Sequence, residues 1–459
     1  MKVKALSRSS ASTQRECSGD LRRQSRNLDP SYHPMQRPRE YTRAVTAAKI
    51  DRMFAKPLIG NLGNGHQDAV YKTAISRKAL LPMLSGAADG VVKLWDLATR
   101  EQMVELNAHS RAVSGLVFGT EDHQDFYSCS PDGMIRRWSV PDVLRASSIT
   151  SDEELAPLDT WRISGSFQSI DHHWNDSQFV TASDSAVQVW TPERSAPIQT
   201  HSDLWGSSDT VSVVRYNPAE PHLIANCSMD RGIGLHDLRT ASAMKKTILS
   251  MKSNDLQWNP MEPLNFVVAN EDFNAYTFDM RKLREPTRIY KGHVSACMSV
   301  AWSPTGREFV TGSYDRTIRI FSMFQNNGIA RDIYHTKRMQ RVFTVNYSMD
   351  NTFVISGSDD TNIRLWKARA SEKLGQLTTR EESATQYRQA LVKKYQHLPQ
   401  VRNISKARKI PKTIKKQTQQ AIIMKESAER KQANRVKYSK KGEHKFKSAR
   451  KKAVVKEVE

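Results

Sequence analysis

The chain has 459 residues, of which 38% are hydrophobic, and a formal net charge of +22. Such a length exceeds an ordinary small domain and suits one large repeat array with extensions. The low apolar content excludes an evenly packed chain: core residues must be concentrated in one part, leaving others polar and extended.

The charge is uneven. Residues 371–459 carry 18 Lys and 7 Arg against 8 Glu and no Asp, which is +17 of the +22. A local field of this kind favours a polyanion: RNA, DNA or anionic lipid. Cys17, Cys129, Cys227 and Cys297 form no CxxC pair, which argues for reduced thiols rather than a disulfide framework or zinc site. The N-terminal MKVKALSRSS lacks an apolar h-region, and no run approaches the ~20 apolar residues of a membrane span. A soluble protein in a reducing compartment is expected.

In chain order, residues 1–50 are rich in Arg and Ser, and Pro30, Pro34 and Pro38 are expected to interrupt any helix, leaving either a disordered leader or an extended basic arm that folds onto a partner. Seven similar segments follow: GAADGVVKLWDL (86–97), CSPDGMIRRWSV (129–140), TASDSAVQVWTP (181–192), CSMDRGIGLHDL (227–238), ANEDFNAYTFDM (269–280), GSYDRTIRIFSM (312–323) and GSDDTNIRLWKA (357–368). Each has small residues, an Asp, a two-residue turn and an alternating strand. An aromatic or His always lies six residues after the Asp: Asp89/Trp95, Asp132/Trp138, Asp184/Trp190, Asp230/His236, Asp272/Phe278, Asp315/Phe321 and Asp360/Trp366. Successive Asp spacings are 43, 52, 46, 42, 43 and 45.

This pattern resembles the WD-repeat family, whose repeat of ~40–45 residues makes one four-stranded propeller blade. The resemblance implies a hydrogen-bonded set in each repeat: an early His, Ser or Thr on the second strand, Asp in the next turn and Trp on the third strand. His66, Ser85, Asp89 and Trp95 fit it, as do His109, Ser128, Asp132 and Trp138. His293, Thr311 and Asp315 fit with Phe321 in place of Trp, and His335, Ser356, Asp360 and Trp366 fit in the seventh repeat. A hydrolase triad is the competing reading. It fails because the chain has no nucleophile elbow, and a triad has no reason to recur with such a period. The third and fifth repeats lack an obvious starting Gly-His, so the third to fifth blades are expected to be less regular. Residues 51–369 are assigned to the ring, with Phe54–Leu62 closing the last blade, so that no long edge stays unpaired.

Beyond the ring the pattern becomes helical. Thr379 and Glu382 have capping-box spacing. Ala384, Tyr387, Leu391, Tyr395 and Leu398 form one apolar stripe ended by Pro399. A short helix holds Val401, Ile404 and Ala407 before Pro411, and a longer one runs from about Lys412 to near Gly442. Tyr387, Leu391, Tyr395, Leu398, Val401 and Ile404 are read as partner-docking positions. Arg402, Lys406, Arg408, Lys409, Lys412, Lys415 and Lys416 are read as RNA phosphate contacts. Residues 440–459 read as a solvated tail with an import signal at Lys440–Lys441 or Arg450–Lys452.

RNLDPSYHPMQRPREYTRAVTAAKIDRMFAKP (26–57), the seven repeats and TREESATQYRQALVKKYQHLPQVRNISKARKIPKTIKK (379–416) look like the Sof-type WD-repeat proteins. The resemblance implies an all-β, seven-bladed WD-repeat β-propeller with an extended N-terminal arm (1–50) and a basic α-helical C-terminal extension (370–459). It also implies a non-catalytic assembly factor of the nucleolar small-subunit processome. Its partners would be pre-ribosomal proteins, pre-rRNA and a box C/D small nucleolar RNA, reached directly or through proteins. The alternative is a substrate receptor of a cullin-type ubiquitin ligase. LHDLR (235–239) and TFDMR (277–281) resemble a W-D-x-R box, and Arg239 and Arg281 would contact the ligase adaptor. No metal cluster, phosphate loop or nucleophile motif supports an enzyme, and no cofactor, small-molecule substrate or membrane partner is expected.

Overall fold

Short apolar runs, each ended by a small-residue or Asp turn, dictate short strands rather than helices. A computed structural model of the protein describes residues 27, 29–119, 125–148, 156–184, 186–202, 210–240, 243–324, 328–440, 443 and 448–458. Seven antiparallel sheets form the blades. Blade 1 is Val70–Ile75, Pro82–Ala87, Val91–Asp96 and Gln102–Asn107. Blade 4 is Val211–Tyr216, Leu223–Ser228, Gly232–Asp237 and Ala243–Leu249, and blade 6 is Cys297–Trp302, Glu308–Ser313, Ile318–Ser322 and Asp332–Tyr334. The first strand of each blade packs beside the first strand of the next. Val342–Tyr347 of blade 7 packs beside Val70–Ile75 of blade 1, so the ring closes.

The core lies between blades. Leu84, Val92 and Leu94 of blade 1 meet Leu116, Phe126 and Trp138 of blade 2 in one buried cluster. Trp95, Trp138, Trp190 and Trp366 are fully buried. At Gly90 the backbone has φ +87°, and a Cβ there would come within 2.1 Å of the His109 carbonyl oxygen, so this turn accepts only glycine.

The last blade is closed by Leu58–Asn61, which pairs antiparallel with Ile363–Lys367 in the register Leu58↔Trp366 and Asn61↔Arg364. Leu62 is fully buried and donates its N–H to the Ile363 carbonyl at 3.0 Å. The strand is shorter than the expected Phe54–Leu62: Phe54 caps a helix and is exposed, and Pro57 has no N–H to give a ladder.

Six helices complete the described structure: α1 Gln36–Met53, α2 Val140–Ser148, α3 Thr379–Tyr395, α4 Pro399–Lys406, α5 Lys412–Tyr438 and α6 Ala449–Ala453. Helix α1 corrects the expectation of an extended arm. Pro38 falls in its first turn, where the missing N–H has no intrahelical acceptor to lose. The leader 1–26 and Lys441 lie outside the described residues. The α3 cap is Thr378, which accepts from the Glu381 N–H, one residue before the expected Thr379. Pro399 opens α4 as well as ending the stripe of α3, since proline suits the first helical turn.

The chain divides into two compact units, and the division crosses the expected domain boundaries. One holds the chain up to Pro57 together with Arg369–Lys409, and the other holds Leu58–Ala368 together with Ile410–Glu459. The basic extension is therefore not one body. Its last part does not end as a solvated tail either: Val454–Val458 forms a fifth strand on blade 4, antiparallel to Ala243–Leu249. Val454 packs against the cluster that holds Leu249, Leu283 and the buried Ala453, and Glu457 pairs with Arg284 at 2.8 Å. The outer edge of a blade offers unpaired backbone groups, and the V-V-K-E-V segment satisfies them.

Candidate functional site

Four groups of residues were candidates: the repeated His/Ser/Asp/Trp sets, the apolar stripe of the extension, its basic residues, and the paired Asp-x-Arg turns. In blade 1, Trp95 Nε1 donates to Ser85 Oγ at 2.7 Å, and His66 Nε2 lies 2.6 Å from the same oxygen. Blade 2 repeats this, with Trp138 Nε1 and His109 Nε2 on Ser128 Oγ at 3.1 and 2.9 Å, and adds His109 Nδ1 to Asp132 at 3.0 Å. In blade 6, His293 bridges Thr311 at 2.7 Å and Asp315 at 2.9 Å. In blade 7, Trp366 Nε1 donates to Ser356 Oγ at 2.8 Å, and His335 is half-buried.

Two sets depart from the expected wiring. Asp89 accepts from the Val91 N–H at 3.0 Å rather than from His66, whose Nδ1 has no hydrogen-bond partner. Burial and then the neighbouring Lys93 push the His66 imidazole down to about 4, which keeps it neutral. Lys93 is itself held by the Gly65 carbonyl at 3.0 Å and by Glu105 at 2.9 Å. Asp360 is bound by Arg364 and Ser358.

A donor four residues after the Asp is a signal that the sequence reading missed. Tyr276 serves Asp272 and Arg364 serves Asp360 from this position, and Arg319 lies 3.9 Å from Asp315. Blade 4 has Gly234 there, and Lys246 of its outer strand reaches Asp230 instead. Burial raises the Asp315 carboxyl, but His293, Arg319 and Thr317 outweigh it and hold the group well below the usual carboxylate range. Asp230 and Asp360 are also depressed, against burial, by Lys246 and Arg364.

The hydroxyls of these sets are sealed. Ser85, Ser128, Thr311 and Ser356 have no exposed surface, so none could present a nucleophile to a substrate. The sets are joints that satisfy buried polar groups. Among the described residues, no group of three or more His, Cys, Asp or Glu is placed to hold a metal ion. Cys129, Cys227 and Cys297 are buried free thiols, and burial pushes the Cys129 thiol up to about 12.

The apolar stripe is already occupied. Leu391 and Val401 are buried against Ala44 and Ala48 of α1, with Tyr387, Tyr395 and Ile404 around them. Leu398 is the half-buried residue before α4. The reading of these positions as an open docking face is therefore corrected: α1 covers them within the helical unit. Polar contacts reinforce the seam. Glu40 accepts from Lys394 at 2.7 Å and Tyr395 at 2.9 Å, and Arg52 donates to the Ser405 carbonyl at 2.6 Å. Burial and then Glu40 push the Tyr395 phenol up to about 12.

The basic residues remain outward. Arg402, Lys406, Lys409, Lys412, Lys415 and Lys416 are exposed, and Arg408 is half-buried, donating to the Ser405 and Ala407 carbonyls. They span both units: Arg402, Lys406, Arg408 and Lys409 belong to the helical unit, Lys412, Lys415 and Lys416 to the propeller unit. The two Asp-x-Arg turns match each other. Arg239 Nη2 lies 2.8 Å from Asp237, and Arg281 Nη2 lies 2.9 Å from Asp279. Both arginine side chains are 65% exposed. The Arg239 hydrogen bond lowers the Asp237 carboxyl, and the Arg281 bond does the same to Asp279.

Comparison with known proteins places this arrangement. The Danio rerio protein named DDB1- and CUL4-associated factor 13 is 44% identical over 462 residues, covering 100% of both chains. The chain belongs to the Sof1-like family of WD-repeat proteins. Protein SOF1 of Saccharomyces cerevisiae is 41% identical to this Sof1-like chain over 451 residues, covering 95% of it and 91% of the yeast protein. The family profile described as the Sof1-like domain matches residues 368–454. WD domain, G-beta repeat, matches 58–96, 284–322 and 333–367. The crystal structure of the WD40 β-propeller domain of Doa1 superposes with a TM-score of 0.56 at 20% identity, over 68% of the Sof1-like chain and 96% of the Doa1 chain. That likeness bears on the fold alone.

Proposed function

We propose that this protein is a non-catalytic assembly factor of the nucleolar small-subunit processome, acting in small-subunit rRNA processing. The observation that carries the reading is the likeness to yeast protein SOF1 along 95% of the chain, which takes in the basic extension as well as the ring. A propeller alone would favour no particular partner. The physical support comes from the exposed cations of α4 and α5, Arg402, Lys406, Lys412, Lys415 and Lys416. Each can neutralise a phosphate and release its counterion. The ring supplies a rigid body with several faces, and the hydroxyls of its repeated sets are buried joints.

Crosslinking of the tagged protein in cells, followed by sequencing of bound RNA, tests this. Enrichment of small-subunit precursor RNA and its guide RNA is expected, and a flat RNA profile would overturn the reading.

A second reading is favoured by one specific observation, the matched exposure of Arg239 and Arg281 beside Asp237 and Asp279. As a receptor of a cullin-type ligase, the chain would present both guanidinium groups to the adaptor. Recovery of an adaptor from cells, lost in the Arg239→Ala and Arg281→Ala double variant, would support it. The two roles are compatible in one protein.

A further inference from the structure

In each blade the turn between the second and third strands lies at the end of the sheet where the chain enters the first strand. The Asp turns of blades 1, 2, 4, 5, 6 and 7 and the described connections between blades therefore share one face of the ring. In blades 1 and 2 the residue after the Asp is Gly90 or Gly133, at positive φ. In blades 4, 5 and 6 the same left-handed position is filled by Arg231 at φ +68°, Phe273 at +71° and Arg316 at +63°. Glycine would adopt this conformation freely, whereas an L side chain is strained in it. Each of these residues is exposed, Phe273 by 46%.

Beside this row stands a cluster of rings. Tyr71 of blade 1 meets Phe343 of blade 7 edge to face at 4.9 Å, and Phe343 meets Tyr314 of blade 6 at 5.8 Å. The Arg341 guanidinium lies over the Tyr314 ring at 5.4 Å. Tyr71 is 37% exposed, and Lys337, Arg338 and Arg341 are exposed on the connection into blade 7. Four acids of this face are turned inward to donors: Asp230 to Lys246, Asp272 to Tyr276, Asp315 to His293 and Asp360 to Arg364. Glu271 and Asp359 stay beside Tyr314, and they are outnumbered by the exposed arginines and lysines.

We propose that this face, across blades 4 to 7 and blade 1, is a binding platform for single-stranded RNA. Arg231, Arg316 and Arg341 would take phosphates, and Phe273 and Tyr71 would stack on unpaired bases. An acidic protein segment would use the cations alone and would leave the exposed rings without a role. A duplex would hide its base faces from them. The proposal deepens the assembly-factor reading and rests on it for the choice of RNA over another polyanion.

The test measures fluorescence anisotropy of a labelled 12-nucleotide single-stranded RNA with the full chain, beside a duplex of equal length and a polyglutamate competitor. The triple variant Arg231→Gly, Phe273→Gly, Arg316→Gly relieves the strained turns, so its melting temperature should not fall. Its affinity for the single strand should drop at least ~10-fold, as expected from lost stacking and phosphate contacts. A second variant, Lys412→Gln with Lys415→Gln and Lys416→Gln, removes extension charge and should leave a clear preference for the single strand over the duplex. Equal binding of duplex and single strand, full competition by polyglutamate, or unchanged affinity in the triple glycine variant would each overturn the platform. These results are separable from the cellular crosslinking: a platform that binds in vitro, with no enrichment of precursor RNA in cells, removes the processome reading and leaves the site.

Discussion

Glu40 on α1 accepts a hydrogen bond from Lys394 on α3 at 2.7 Å, and the residue is only 3% exposed. That one pair ties a segment before the ring to a segment after it. The stripe of α3 and α4 is thus core for α1, and substitutions in it should act by unfolding. Leu391→Ala should cost about 2–4 kcal/mol. Hydrogen exchange of residues 36–53 should rise together with that of 379–406 in this variant. Loss of protection in 379–406 alone would show that α1 is not the partner.

The repeated Asp residues should not be equivalent. Asp315→Ala removes a buried acceptor that serves His293 and Thr317, and should cost about 2–3 kcal/mol. Asp89 accepts one backbone N–H, so Asp89→Ala should cost about 1 kcal/mol or less. Urea unfolding of both variants checks the ranking.

Acid should weaken the ring. Asp230, Asp315 and Asp360 have folded-state pKa values below the ordinary value. A depressed carboxyl contributes stability that is fully present above its unfolded pKa, roughly 3.9, and is lost as pH falls through the folded pKa. The urea midpoint should therefore be insensitive to these groups above about pH 5 and fall steeply below about pH 4. Asp315→Asn should make that fall shallower.

Ring closure should depend on four residues and the leucine after them. A fragment of residues 58–368 keeps Leu58–Asn61 and Leu62, whereas 65–368 exposes the edge of Ile363–Lys367 and loses a fully buried side chain. The shorter fragment should be less stable by about 3 kcal/mol or more. Equal melting of the two would show that closure occurs otherwise.

Truncation after Lys452 should remove the fifth strand of blade 4 without harming the ring. Lost strand pairs and the packing of Ala453 and Val454 should destabilise the full chain by roughly 1–2 kcal/mol. Exchange should accelerate at Lys246–Leu249. Unchanged protection there would mean that the strand contributes nothing in solution.

The pairing of an Asp with a ring six residues later, repeated seven times, was enough to read the propeller, because it reports local events: a tight turn and a short strand of apolar residues. Pro399 and Pro411 likewise marked helix boundaries, since a missing N–H acts within a single turn. Three matters were decided only by the folded chain. The stripe at Leu391 and Val401 announces an apolar face but not its occupant, and α1, some 350 residues earlier, was masked by a proline that its first turn tolerates. Asp89 and Asp360 announce a need for donors, but the Val91 N–H and the Arg364 guanidinium supply them in place of a His. Val454–Val458 looked like the end of a basic tail until the unpaired outer edge of blade 4 gave its backbone a ladder to join. Period and turn chemistry act over a few residues and are written in order along the chain. The choice of a partner far along the chain rests on geometry and loop closure, which no local pattern contains.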